Sequence, residues 1–162
     1  MAKYRLLNQT ELDALKDKFV DYLILNGITG DDWEKMKSKN IDEANKILEL
    51  FSDVVFEGSL RNIQFLDFVD ESKILCFQCL EKKIVLIGIQ AKGIIKIDPK
   101  DMEETEKRLN AYPDQFEIFT KDKMYSRERN TELFEMTEWG CGISDGQLFK
   151  KLSLLLSTPT NE

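Results

Sequence analysis

Three groups of residues could carry chemistry: the pair Cys76-Phe77-Gln78-Cys79, Cys141 between Gly140 and Gly142, and the basic run from Lys121 to Arg129. The chain has 162 residues and no histidine. Histidine is the side chain that titrates nearest neutral pH and the commonest metal ligand. Its absence excludes Ser-His-Asp and Cys-His catalysis, histidine-containing zinc sites, HExxH peptidases and facial-triad iron oxygenases. Any reaction must run on carboxylates, Lys, Tyr or Cys.

The CxxC pair sits inside a strand pattern, where residues three apart point to opposite faces and lie about 10 Å apart at ~3.3 Å per residue. A zinc ion bound at ~2.3 Å from each sulfur cannot join them. A redox pair belongs at a helix N-terminus, yet Leu80-Glu81-Lys82-Lys83 and another strand follow. Buried, hydrophobe-like thiols are the expected fate of Cys76 and Cys79. Cys141 lies near the start of the last helix, where a dipole favours a thiolate, but it has no imidazole base. Asp145 or Glu138 beside it would raise the thiol pKa, and adjacent glycines are not the spacing of a nucleophile elbow.

Lys121, Lys123, Arg127 and Arg129 surround Tyr125, a composition that can hold a small anion, although Asp122 and Glu128 are interleaved. The expectation is a charged loop leading into a helix. Paired acids such as Asp31 with Asp32 or Glu103 with Glu104 mark first turns of helices, where negative charge meets the dipole. Neither GxGxxG nor GxxxxGK[ST] is present. No metal and no organic cofactor is expected.

The elements that must position these groups follow from periodicity. A 42% hydrophobic share, with only 8 Gly and 3 Pro, describes an ordinary globular domain. One domain is expected over 1–156, with a disordered tail at 157–162. Leu12, Leu15, Phe19, Tyr22 and Leu23 predict a helix over 11–26 started by Thr10 and Asp13. Thr29 caps a second over 31–37. Asn40 and Glu43 open a third with the stripe Ile47, Leu48, Leu50, Phe51, Val54 and Val55, wide enough to bury more than one side.

From Asn62 the period changes to that of strands. Ile63 to Val69, Lys73 to Leu80, Lys83 to Gln90 and Ile94 to Ile97 are joined by two or three residues, which predicts an antiparallel meander of four strands over about 62–98. Ile84 to Ile89 is apolar on both faces, so it should be central and covered twice, with Gly88 marking a bulge or a close backbone contact. Asp98-Pro99 should open a helix ending near Asn110, and Gln115 to Thr120 is a candidate fifth strand. Asn130 begins a helix through Leu133 and Trp139. Ser144 and Gln147 cap the last one, with Ile143 stapled to Leu148. The fold class is α+β: N-terminal helices, the meander, C-terminal helices. The expected core includes Phe19, Leu23, Leu48, Phe51, Val55, Phe65, Phe77, Val85, Ile87, Leu133, Trp139 and Leu152.

Net charge is −7, which disfavours duplex DNA and an anionic membrane as partners. No signal peptide or spanning segment is seen, and three cysteines at no framework spacing fit a reducing, cytoplasmic setting. Tyr4-Arg5-Leu6-Leu7 with Glu11-Leu12, Asn26-Gly27-Ile28 through Asp32-Trp33-Glu34, Glu49 through Asp53, Glu132-Leu133-Phe134, and Ile143 through Lys150 resemble a family of small bacterial proteins with a domain of unknown function. The resemblance covers nearly the whole chain and implies no activity, cofactor or site residues.

Two functions compete. The favoured one is a non-catalytic cytosolic protein-interaction module, its partner a protein, self or other, since acidic helices flank a mildly basic sheet. The other is a His-independent enzyme or anion-binding protein that uses Cys141, with Asp145, beside Lys121, Lys123, Tyr125, Arg127 and Arg129. A concave pocket shared by Cys141 and that segment would favour the second.

Overall fold

A computed structural model describes residues 1–157. Two compact units are present, Met1–Arg61 and a second beginning at Asn62. The tail expected at 157–162 lies outside the described residues, apart from Ser157, which closes the last helix.

The first unit is helical: α1 (Gln9–Ala14), α2 (Lys16–Leu25), α3 (Gly30–Lys39) and α4 (Ile41–Arg61). Asn8, not Thr10, starts α1. Its side chain accepts from the Glu11 N–H at 2.9 Å, and its own N–H donates to Glu11 Oε2 at 2.8 Å, satisfying two otherwise orphaned donors. Leu15, with ψ at 16°, splits the expected single helix into α1 and α2. Thr29 caps α3 as expected, accepting from the Asp32 N–H at 3.1 Å. Phe51 of α4 is buried and its ring lies 4.9 Å from Phe19 and 5.4 Å from Tyr22. The α4 stripe is narrower than its sequence implies, because Leu50 and Val54 face solvent. The segment before α1 is tied to α4: the Leu7 N–H donates to the buried Ser52 hydroxyl and the Lys3 N–H to Asp53.

The second unit is a five-stranded antiparallel sheet with three helices. Its strands are β1 (Phe65–Val69), β2 (Lys73–Cys79), β3 (Lys83–Ala91), β4 (Phe116–Met124) and β5 (Gly142–Ser144), in the order β4-β3-β2-β1-β5. The turn into β2 is held by Asp70, whose Oδ1 accepts from the N–H groups of Ser72 and Lys73, an Asx-type turn. Three residues, Leu80, Glu81 and Lys82, link β2 to β3, and the Leu80 N–H donates to Lys83 O. Register fixes the faces. Ile74 opposes Ile89 and Cys76 opposes Ile87, while Leu75 opposes Gly88 and Phe77 opposes Leu86.

The expected fourth strand, Ile94 to Ile97, is a loop. Gly93 turns the chain away at φ 70°, Ile94 is 98% exposed, and the place beside β3 is taken by β4. Ile97 still enters the core, held by its N–H to Glu71 O. Helix α5 (Met102–Ala111) starts later than Asp98-Pro99 implies, because Asp101 supplies the cap to the Glu104 N–H. Likewise α7 (Gln147–Ser157) starts after Ser144, which is spent in β5 together with the exposed Ile143.

One face of the sheet is closed. Phe65, Ile74, Cys76, Ile87, Ile89 and Phe116 pack with Leu109 of α5 and with Phe149 and Leu152 of α7. Gly88 faces the other way and is a close approach, not a bulge, since the β2–β3 register runs through it unbroken. A Cβ there would stand 2.3 Å from the Phe119 ring.

Candidate functional site

On the opposite face of the sheet, α6 (Arg129–Glu138) covers part of the surface and leaves a cleft of about 530 Å³. That volume suits a small ligand or a cluster of side chains. Leu75 and Phe77 of β2 and Ile84 and Leu86 of β3 form the floor; Glu132, Glu135, Met136 and Trp139 form one wall; Lys121, Asp122, Lys123, Ser126 and Arg127 form the rim.

Leu133, Met136 and Trp139 follow at three-residue spacing, so they share one side of α6. Leu133 is fully buried, whereas Trp139 is 73% exposed. The expectation that Trp139 belongs to the core is therefore corrected. The helix ends at Glu138, and Trp139 is its C-cap residue.

Two of the three cations on the cleft pair with its carboxylates. Glu132 is buried and accepts from the Ser126 N–H at 2.7 Å, from the Ser126 hydroxyl, and from Lys123 Nζ at 3.4 Å. Burial alone would raise its carboxyl; the Ser126 donors and Lys123 outweigh it and hold the carboxyl below the ordinary range. Arg127 pairs with Glu135, and Lys83 reaches Asp122 at 3.4 Å. Lys121 makes no ion pair among the described residues. Three cations and three carboxylates line the cleft, so it carries no net charge.

The segment Lys121 to Arg129 is thus not one loop. Lys121 and Lys123 extend β4 and reach the rim with Arg127. Tyr125 and Arg129 turn elsewhere: the Tyr125 hydroxyl donates to Leu80 O at 2.7 Å, and Arg129 donates to the carbonyls of Leu80, Ile63 and Cys79. Arg129 thereby ties the start of α6 to the end of β2. Burial pushes the Tyr125 hydroxyl up to about 12.

Cys141 does not line the cleft. It is buried, and burial reinforced by Asp67 pushes its thiol up to about 11. Asp145 is exposed and accepts from the Gln147 N–H at the start of α7. Cys76 and Cys79 point to opposite faces of the sheet, both buried, with Cys79 also raised to about 11 by burial. Asp67, opposite Cys76, has a buried Oδ1 without a hydrogen-bond partner; burial raises its carboxyl, opposed by the Ser144 hydroxyl and the Cys76 thiol and reinforced by Asp145. Among the described residues no group of three or more acids or thiols is placed to hold a metal ion, and no helix is long and apolar enough to cross a membrane.

Sequence reasoning did not single out the floor or Glu132, Glu135 and Met136. A signal for them exists. Leu75 and Phe77 alternate with Ile74 and Cys76, so β2 is apolar on both sides, and the second side lines the cleft with α6.

The model of a family of unknown function (DUF6495) matches residues 1–157, so the chain belongs to that family. No curated protein and no solved structure matches the chain.

Proposed function

We propose, for this member of a family without an assigned activity, that the chain is a non-catalytic protein-interaction module of the bacterial cytosol whose α6 cleft receives apolar side chains of a partner protein. The observation that carries this reading is the apolar cleft of Leu75, Phe77, Ile84 and Leu86, in which Leu75 and Leu86 stay partly exposed, beside an exposed Trp139. Exposed aromatic anchors beside apolar hollows are what partner recognition uses. Lys123 and Arg127 already pair with Glu132 and Glu135, which favours an apolar guest over an ionic one.

Catalysis has less support. The only hydroxyl–carboxylate pair on the cleft is Ser126 with Glu132, and a carboxylate held below its ordinary pKa is a weak base. Cys141 is buried, raised in pKa and outside the cleft. Three free, buried cysteines accord with a reducing compartment. Anion binding stays as a second reading because Lys121 has no ion pair among the described residues.

The test is photo-crosslinking in cells from a benzophenone side chain replacing Trp139. One discrete protein adduct, lost on Met136→Glu with circular dichroism unchanged, is the expected result. No adduct, or one indifferent to Met136→Glu, contradicts the reading.

A further inference from the structure

Strand β4 ends the sheet, pairing with β3 alone, and its nine residues make no backbone hydrogen bond on their outer side among the described residues. An open edge of that length is a template for another strand. We propose that the strand it takes is β4 of a second copy, paired antiparallel about a twofold axis at Thr120, so that the two sheets become one.

The charge pattern selects this partner and this register. A twofold axis normal to the sheet places paired residues on the same face, so the axis must pass beside a residue. Centred on Thr120, all nine residues pair, and Glu117 stands opposite the partner's Lys123 at both ends. Phe119 then faces the partner's Lys121, whose stem can lie over the ring, and Phe116 faces the partner's Met124. Centring on Lys121 sets like charges opposite each other, which is destabilising. Centring on Phe119 leaves Lys123 and Met124 without partners. Edge lysines ordinarily repel a second strand; here each one meets an acid or an aromatic ring. The inference goes beyond the cleft reading and does not rest on it.

Sedimentation velocity across micromolar to sub-millimolar protein tests it. The native chain should form a dimer that weakens with salt. Glu117→Lys should weaken it about tenfold or more, since two attractive pairs become repulsive; Lys123→Glu should do the same, and the double swap should restore it. Lys123 also touches Glu132, so Glu117→Lys, which breaks no ion pair among the described residues, carries the test if Lys123→Glu disturbs the fold. A native chain monomeric throughout, Glu117→Lys without effect, or a double swap no better than the single ones would overturn the proposal.

Discussion

The two faces of the sheet are built from the same kinds of residue and finished differently. The closed face meets two helices, α5 and α7, and buries Ile74, Cys76, Ile87 and Ile89 almost completely. On the open face Leu66, Phe77, Cys79 and Ile84 are buried as well, but beside the ten residues of α6 Leu75 and Leu86 stay partly exposed and a cleft remains. Apolar surface left uncovered costs stability that burial would have supplied at ~25 cal/mol per Å². The two faces thus differ in what covers them: α5 and α7 close one, while α6 leaves a cleft on the other.

Matched truncations on the two faces break or sharpen that contrast most strongly. Ile89→Ala should cost about 3–4 kcal/mol, the range for a fully buried aliphatic residue. Leu86→Ala, two strand positions from Gly88 on the open side, should cost about 1 kcal/mol, because its cavity already opens to water. Denaturant unfolding measures both; equal losses would erase the distinction. Gly88→Ala should cost about 2 kcal/mol by driving a methyl into the Phe119 ring. Most of that cost should vanish in a Phe119→Ala background, which a double-mutant cycle reads directly.

The faces should also respond to pH with opposite sign. Glu132, on the open side, is held below its ordinary pKa. Its contribution is complete above the unfolded value of about 4.3 and is lost as pH falls through the folded value. Asp67, on the closed side, is raised by burial. The folded state then keeps its proton longer, so stability falls as pH rises from about 3.9 to the folded pKa and stays reduced at neutral pH. Glu132→Gln should cost about 1–2 kcal/mol at pH 7, whereas Asp67→Asn should gain about 1 kcal/mol there. Unfolding followed from pH 3 to pH 8 checks both, and a shared sign would contradict the assignment. The smallest effect belongs to Trp139→Ala, expected within about 0.5 kcal/mol because the ring is largely in water.

The closed face was legible in the sequence because strand alternation and short connections determine it. Cys76 and Cys79 were readable as opposed, buried thiols from their spacing alone. What local pattern does not encode is which long-range strand wins an edge: Ile94 to Ile97 has strand composition, but β4, which starts 19 residues after Ile97, takes the place beside β3. Trp139 was misplaced for a related reason. Helical spacing shows which side of α6 it occupies, not whether anything covers it there. The rim was half legible: Lys121, Lys123 and Arg127 do gather, but Tyr125 and Arg129 answer to backbone carbonyls that only the folded chain brings near.

The open cleft is tested most directly with purified protein carrying Trp33→Phe, which leaves Trp139 as the sole tryptophan. Titrated with 8-anilinonaphthalene-1-sulfonate, it should bind one dye at the cleft, with energy transfer from Trp139, and lose that binding on Met136→Glu. A dye that stays in water, or that binds the Met136→Glu protein equally well, would contradict an open apolar site beneath Trp139.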